Sequence, residues 1–172
     1  MRLGRRRHDP AKLALMPRLA GRLPPTPPPR LDRSALGFHP ACWNNDTLPD
    51  CTAASLAEAM KGAALVHGGY VPSIALDAPA RFYAGCVGGA PGNTVALAAT
   101  DGAVMADVAA RQAVEGYDVG EPAPLFGLPA TVPLDRNSLA SGIDTLGAGW
   151  WGVTLYEADM DAQQTWDVSV DD

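Results

Sequence analysis

Glycine and proline interrupt this chain so often that only short elements can form between them. Eighteen Gly and sixteen Pro are spread over 172 residues. A proline inside a helix or an inner strand removes a backbone donor and fixes φ, so the pattern predicts a loop-rich fold. The densest cluster, Pro24-Pro25-Thr26-Pro27-Pro28-Pro29, predicts extended, polyproline-like chain. It closes a first segment, 1–33, that differs sharply in charge from the rest of the chain. That segment carries nine Lys/Arg against Asp9 and Asp32, a net +7; with −6 overall, residues 34–172 hold −13. The length suits one domain with an extension. The expected organisation is a basic, Pro-rich arm over 1–33 and an acidic compact body over 34–172.

Several function classes drop out at this level. No apolar run approaches the roughly 20 residues a membrane-spanning helix needs. Pro10, Lys12, Pro17 and Arg18 break up the stretch behind the first arginines, so a secretory signal is not expected. Cys42, Cys51 and Cys86 cannot all pair within one chain, and only His39 lies near the first two; they read as free thiols rather than as a disulfide framework or zinc site. Asp101 and Asp107 read as a helix cap and a solvated face rather than as metal ligands. No cofactor is expected. The arm, with Arg5, Arg6 and Arg7 at its start, can meet phosphates or an acidic protein surface. No aromatic residue interleaves its arginines, so base stacking is not indicated and nucleic acid is not the favoured partner.

Within the body, residues 51–66 give the best helix. Leu56, Met60 and Ala63 recur at i, i+4 and i+7, Asp50 suits the N-cap, and Gly68-Gly69 stops the run. A second helix is expected over 77–84, with Asp77 near its cap and Phe82 on its apolar face. Residues 86–100 read as Gly-rich loop with an extended piece around Val95. A third helix, 103–114, comes after Asp101-Gly102 and turns Val104, Val108 and Val114 inward. After an irregular stretch over 116–133, a fourth helix, 136–146, starts behind Asp135 and aligns Leu139, Ile143 and Leu146. The run Trp150-Trp151-Gly152-Val153-Thr154-Leu155-Tyr156 reads as a strand. A lone strand leaves backbone donors and acceptors for something else to pair with. The expected class is α+β, mainly helical, with one C-terminal strand.

Chemistry concentrates at Cys51. A cysteine heading a helix feels the positive end of the dipole and unpaired N–H groups, which favour its thiolate. Its own N–H can serve an oxyanion, and Asn45, six residues upstream, can supply a second donor. The plain alternative is a small, partly buried residue packing at the helix end.

Residues 42–60 resemble the nucleophile segment of papain-like cysteine peptidases, where an amide residue stands six before the cysteine and a long helix comes after it. The chain more specifically resembles a family of uncharacterised bacteriophage and prophage proteins with that fold. Their hallmark is an Asn-Asp-x-x-Gly-Asp-Cys-Thr run ahead of an alanine-rich helix. Asn45, Asp46, Asp50, Cys51 and Thr52 match, while Pro49 replaces the glycine. The similarity also covers Leu3-Gly4, His8-Asp9-Pro10 and the proline stretch, then Asp101-Gly102-Ala103-Val104 with Asp107-Val108, and Trp151-Gly152-Val153.

The resemblance implies a papain-like helical half-domain with Cys51 at the nucleophile position and Asn45 at the oxyanion-donor position. It also implies a histidine in a second, β-rich half, and the chain stops at Asp172 where that half would begin. The histidines present are poor substitutes. His8 is in the arm and His39 lies ahead of the nucleophile loop. His67 sits sixteen residues along the Cys51 helix, roughly 24 Å away at about 1.5 Å per residue, whereas a base must come within about 3 Å. No peptidase activity is therefore expected from this chain alone. The leading expectation is a non-catalytic structural or interaction protein of a phage-like particle, a virion or tail component made in the bacterial cytoplasm. Its expected partners are other phage structural proteins, met through the 1–33 arm and strand 150–156, with Trp150 and Trp151 as anchors. The alternative is an active cysteine hydrolase, a peptidase or cell-wall amidase, completed by a histidine from a partner chain or longer product. A third reading is a small nucleic-acid-associated protein, resting on the arm.

Overall fold

In the computed structural model, the described residues are Ala11, Ala14, Met16, 41–119 apart from 42, 44 and 46, then Pro124, Thr131 and 135–149. They are mainly helical. Helix α1 spans Cys51–Gly68, α2 Ala78–Val87, α3 Thr94–Ala98, α4 Met105–Glu115 and α5 Arg136–Leu146. Ala103, Tyr117 and Thr131 are single bridge positions, and no longer strand occurs among the described residues. Residues 150–156, expected as a strand, lie outside them, as does nearly all of the 1–33 arm.

Helix α1 begins where the Asp50 carbonyl accepts the N–H groups of Ala53 (2.8 Å) and Ala54 (2.9 Å). It ends at Gly69, whose φ of 67° suits glycine and whose N–H reaches the Leu65 carbonyl. Its alanines let the neighbouring helices come close. Ala53 and Ala57 are wholly buried, and α1, α2 and α4 pack on one another around them. Tyr83, Ala84, Val108 and Tyr117 complete the centre of this core. The rings of Phe82 and Tyr117 stack 4.4 Å apart, a contact worth about 0.5–1.5 kcal/mol beyond its buried area. The Ala75 N–H donates to the Val119 carbonyl at 3.1 Å, tying the entry to α2 to the exit from α4.

Helix α5 is set by Asp135, whose carboxylate accepts the Ser138 N–H at 2.9 Å, and by Gly147 at φ 83°. Gly147 also makes a close approach: a Cβ there would stand 3.0 Å from the Ala63 Cα and 3.1 Å from the Val66 Cβ. The chain leaving α5 is thus pressed against the second half of α1.

Several expectations change. Residues 94–98 are a short helix, because Asn93 accepts the Ala96 N–H at 3.1 Å and caps it; Val95 points to solvent, 81% exposed. Val114 is 79% exposed and belongs to the outer face of α4; the buried face runs through Val108 and Ala109 and ends at Gln112. Val104, not Asp101, occupies the N-cap of α4. Asp77 is the N-cap of α2, as expected, but its carboxylate makes no capping bond and pairs with Arg81, which also reaches Asp118 at 3.3 Å.

Candidate site at the head of the first helix

Cys51 opens α1 and is half-buried, with its thiol outside any disulfide. The residues around it are placed by how the helix is started. Leu48, Pro49 and Asp50 are all buried, so the segment entering the helix is packed inward before Cys51 turns outward. Asp50 is the N-cap residue of α1, as the sequence predicts, but its side chain makes no capping bond. Its carboxyl is wholly buried, and only its backbone carbonyl serves the first turn. Thr52 is buried beside it.

Two tyrosines close the underside of this helix end. Tyr117 donates its hydroxyl to the Ala53 carbonyl at 3.1 Å. Burial pushes its phenol well above the ordinary range, and the Asp50 and Cys86 charges push the same way. Tyr83 bonds Thr100 through its hydroxyl. Burial raises its pKa, hydrogen bonds from Thr100 and the Gly102 N–H oppose the rise, and the charges of Asp50 and Cys51 add to it. Both phenols therefore stay protonated at neutral pH and serve as hydrogen-bonding struts rather than as bases.

The approach to Cys51 is held from the outer side. Glu58 Oε1 accepts the Ala41 N–H at 3.1 Å and the indole N–H of Trp43. Lys61 lies 3.1 Å from the same oxygen and 5.2 Å from the centroid of the Trp43 ring. Trp43 is buried and has φ 54°. A bulky side chain in left-handed backbone costs on the order of 1–3 kcal/mol, which the surrounding contacts must offset.

Of the residues expected to form a site, Cys51 stands at the helix head, where the sequence places it. Asn45 is in an exposed turn of the segment that enters the helix. His67 is at the opposite end of an unbroken 18-residue helix, and among the described residues it is the only histidine. His8, His39, Arg5, Arg6, Arg7, Trp150 and Trp151 lie outside the described residues. No group of three or more His, Cys, Asp or Glu is placed to hold a metal among the described residues, and none of their helices is long and apolar enough to cross a membrane. Cys86, at the end of α2, is a second thiol outside any disulfide, whose pKa burial pushes up to about 12 despite nearby Arg111; it is a packing residue.

The Glu58–Trp43–Lys61 cluster and the two tyrosine struts were missed by sequence reasoning. The first had one available signal, Glu58 and Lys61 at i and i+3 on a helix otherwise poor in charge. No family model, curated protein or solved structure matches the chain.

Proposed function

We propose that this chain is a non-catalytic structural or interaction component of a phage-like particle, built on a degenerate papain-like half-domain. The observation that carries the reading is the head of α1. It keeps the layout of a nucleophile helix, with Asn45 six residues before a cysteine that opens a long helix. The parts that would make that thiol work are arranged otherwise. Pro49 is buried where the resembled family has glycine, a buried carboxyl group flanks the thiol, and His67 is at the wrong end of the helix. A carboxyl group next to Cys51 supplies no positive charge to hold a thiolate, as a neighbouring cation would. Amide hydrolysis also needs a proton delivered to the leaving amine.

In this reading the arm and residues 150–156 meet other proteins of the particle, and the helical core displays them. The test is made on particles produced with Cys51→Ser in place of the natural residue. The chain is expected in the particle fraction at a fixed stoichiometry, with particle yield unchanged by the substitution. Absence from the particles, or loss of yield with Cys51→Ser, would sink the proposal.

One observation favours a second reading. Cys51 is not sealed in, since part of it reaches the surface. A partner chain carrying a histidine to that surface would make a cysteine hydrolase. Peptide or muropeptide cleavage by the purified chain plus its partner, abolished by Cys51→Ser, would establish it.

A further inference from the structure

We propose that Glu58 is the positioning residue of the Cys51 site, holding the segment that enters the thiol along the thiol's own helix face. Cys51 and Glu58 are seven residues apart on α1, which is about two turns and about 10 Å along the axis, within about 20° of the same direction. Whatever Glu58 binds therefore lies on the face that Cys51 presents. It binds the start of the entering segment: the Ala41 N–H at 3.1 Å and the Trp43 indole N–H meet the same carboxylate oxygen. The other end of that segment is fixed where Leu48, Pro49 and Asp50 are buried ahead of the helix. Ala41 and Trp43 on one side and Leu48, Pro49 and Asp50 on the other are thus held, and Asn45 sits at an exposed turn between them.

The pin is built from charge. Lys61 contacts both Glu58 oxygens, at 3.1 and 3.3 Å, and lies over the Trp43 ring. Hydrogen bonds to an ionised acceptor are about twice as strong as neutral ones, and they oppose the tendency of Trp43 to leave its left-handed backbone conformation. Loss of the carboxylate removes the acceptor shared by three donors at once. Segment 41–50 then lifts from the face and Cys51 becomes more accessible. Lys61 itself is shielded, so losing Glu58 also takes from a buried ammonium the carboxylate it contacts here. The pin acts through geometry and holds whether or not Cys51 has any chemistry in the particle.

The experiment uses the full chain with Cys42→Ser, labelled by iodoacetamide under native conditions, with Cys51 and Cys86 followed separately by peptide mass. Glu58→Ala should speed Cys51 labelling by about tenfold or more, the scale set by losing a charge-assisted bond. Glu58→Gln, which keeps an acceptor for the two N–H donors but not the ion pair, should fall between that variant and the parent. Trp43→Phe, which keeps a ring and removes one donor, gives a smaller rise and serves if Glu58→Ala does not fold. Cys86 labelling should stay unchanged throughout. An unchanged Cys51 rate in the folded variants would overturn the proposal. So would equal acceleration of Cys51 and Cys86, since that would report general loosening. Neither result bears on whether the chain is found in particles, so the two proposals fail independently.

Discussion

The two ends of α1 are built on different principles. At its head, Ala53 and Ala57 are fully buried, Tyr117 bonds the helix backbone, and Glu58 draws the preceding segment down onto the helix face. At its tail, His67, Gly68 and Tyr70 are exposed, and the neighbour is the short exit from α5 at Gly147 and Ala148. A helix fixed at one end and lightly touched at the other is a scaffold for what sits at the fixed end. The thiol is at that end and the histidine at the other, so the element that orders the one separates it from the other.

The contrast breaks most directly at Tyr117. Tyr117→Ala removes a wholly buried ring, its stack on Phe82 and the bond to the Ala53 carbonyl. A loss of about 3–5 kcal/mol is expected, read as a lower urea midpoint with an unchanged m value. A loss under about 1 kcal/mol would mean that the head is not the fixed end.

Alkaline titration sharpens the same contrast. Burial raises Tyr83, Tyr117 and Cys86 in the folded chain, Cys86 from its ordinary 9.0 to about 12. For each group the folded state keeps a proton that the unfolded state gives up. Stability is therefore full below about pH 9 and falls as pH rises toward 12. The slope is about 1.4 kcal/mol per pH unit for each group within its window. Cys86→Ala should remove the part that begins near pH 9 and leave the phenol part, which begins near pH 10. A stability flat from pH 8 to 11 would contradict the burial of all three.

Much of this architecture was legible because the chain marks its own element ends. Asp135 and Gly147 bracket α5, Gly69 ends α1, and Pro79 starts α2, each at the position its chemistry favours. The short α3 reads as extended in sequence because one apolar residue, Val95, outweighs the capping Asn93. Val114 continues a helical period past the point where the core ends. The placement of Cys51 was visible from Asp50, the alanines and the glycine stop. The environment of Cys51 was not. Trp43 meets Glu58 across fifteen residues, and Tyr117 meets Ala53 across sixty-four. Contacts of that span leave no periodic trace, and a buried Asp50 looks the same in sequence as one whose side chain makes the capping bond.

Gly147→Ala probes the tail. The substitution puts a Cβ into left-handed backbone and within 3.0 Å of the Ala63 Cα. It should cost about 1–2 kcal/mol from the backbone alone. The more telling measurement is hydrogen exchange. Amides in the last two turns of α1 should exchange faster, while those just after Cys51 keep their protection. Equal acceleration at both ends would show that α1 responds as one rigid unit and would erase the distinction between them.

The smallest effect is expected at His67, and its smallness is the point. The imidazole is exposed, and His67 lies about 24 Å from Cys51 along the helix axis at about 1.5 Å per residue. Its Nε2 stands 3.2 Å from where a Cβ on Gly147 would be, so its nearest structural duty is to cover the exit from α5. His67→Ala should change stability by no more than about 0.5 kcal/mol, as surface substitutions do. It should also leave the rate and pH dependence of Cys51 alkylation unaltered, because a group two Debye lengths away in salt does not set the charge of a thiol. A shifted alkylation profile in His67→Ala would require the two ends of α1 to meet, within one chain or between two, and would move the hydrolase reading ahead of the structural one.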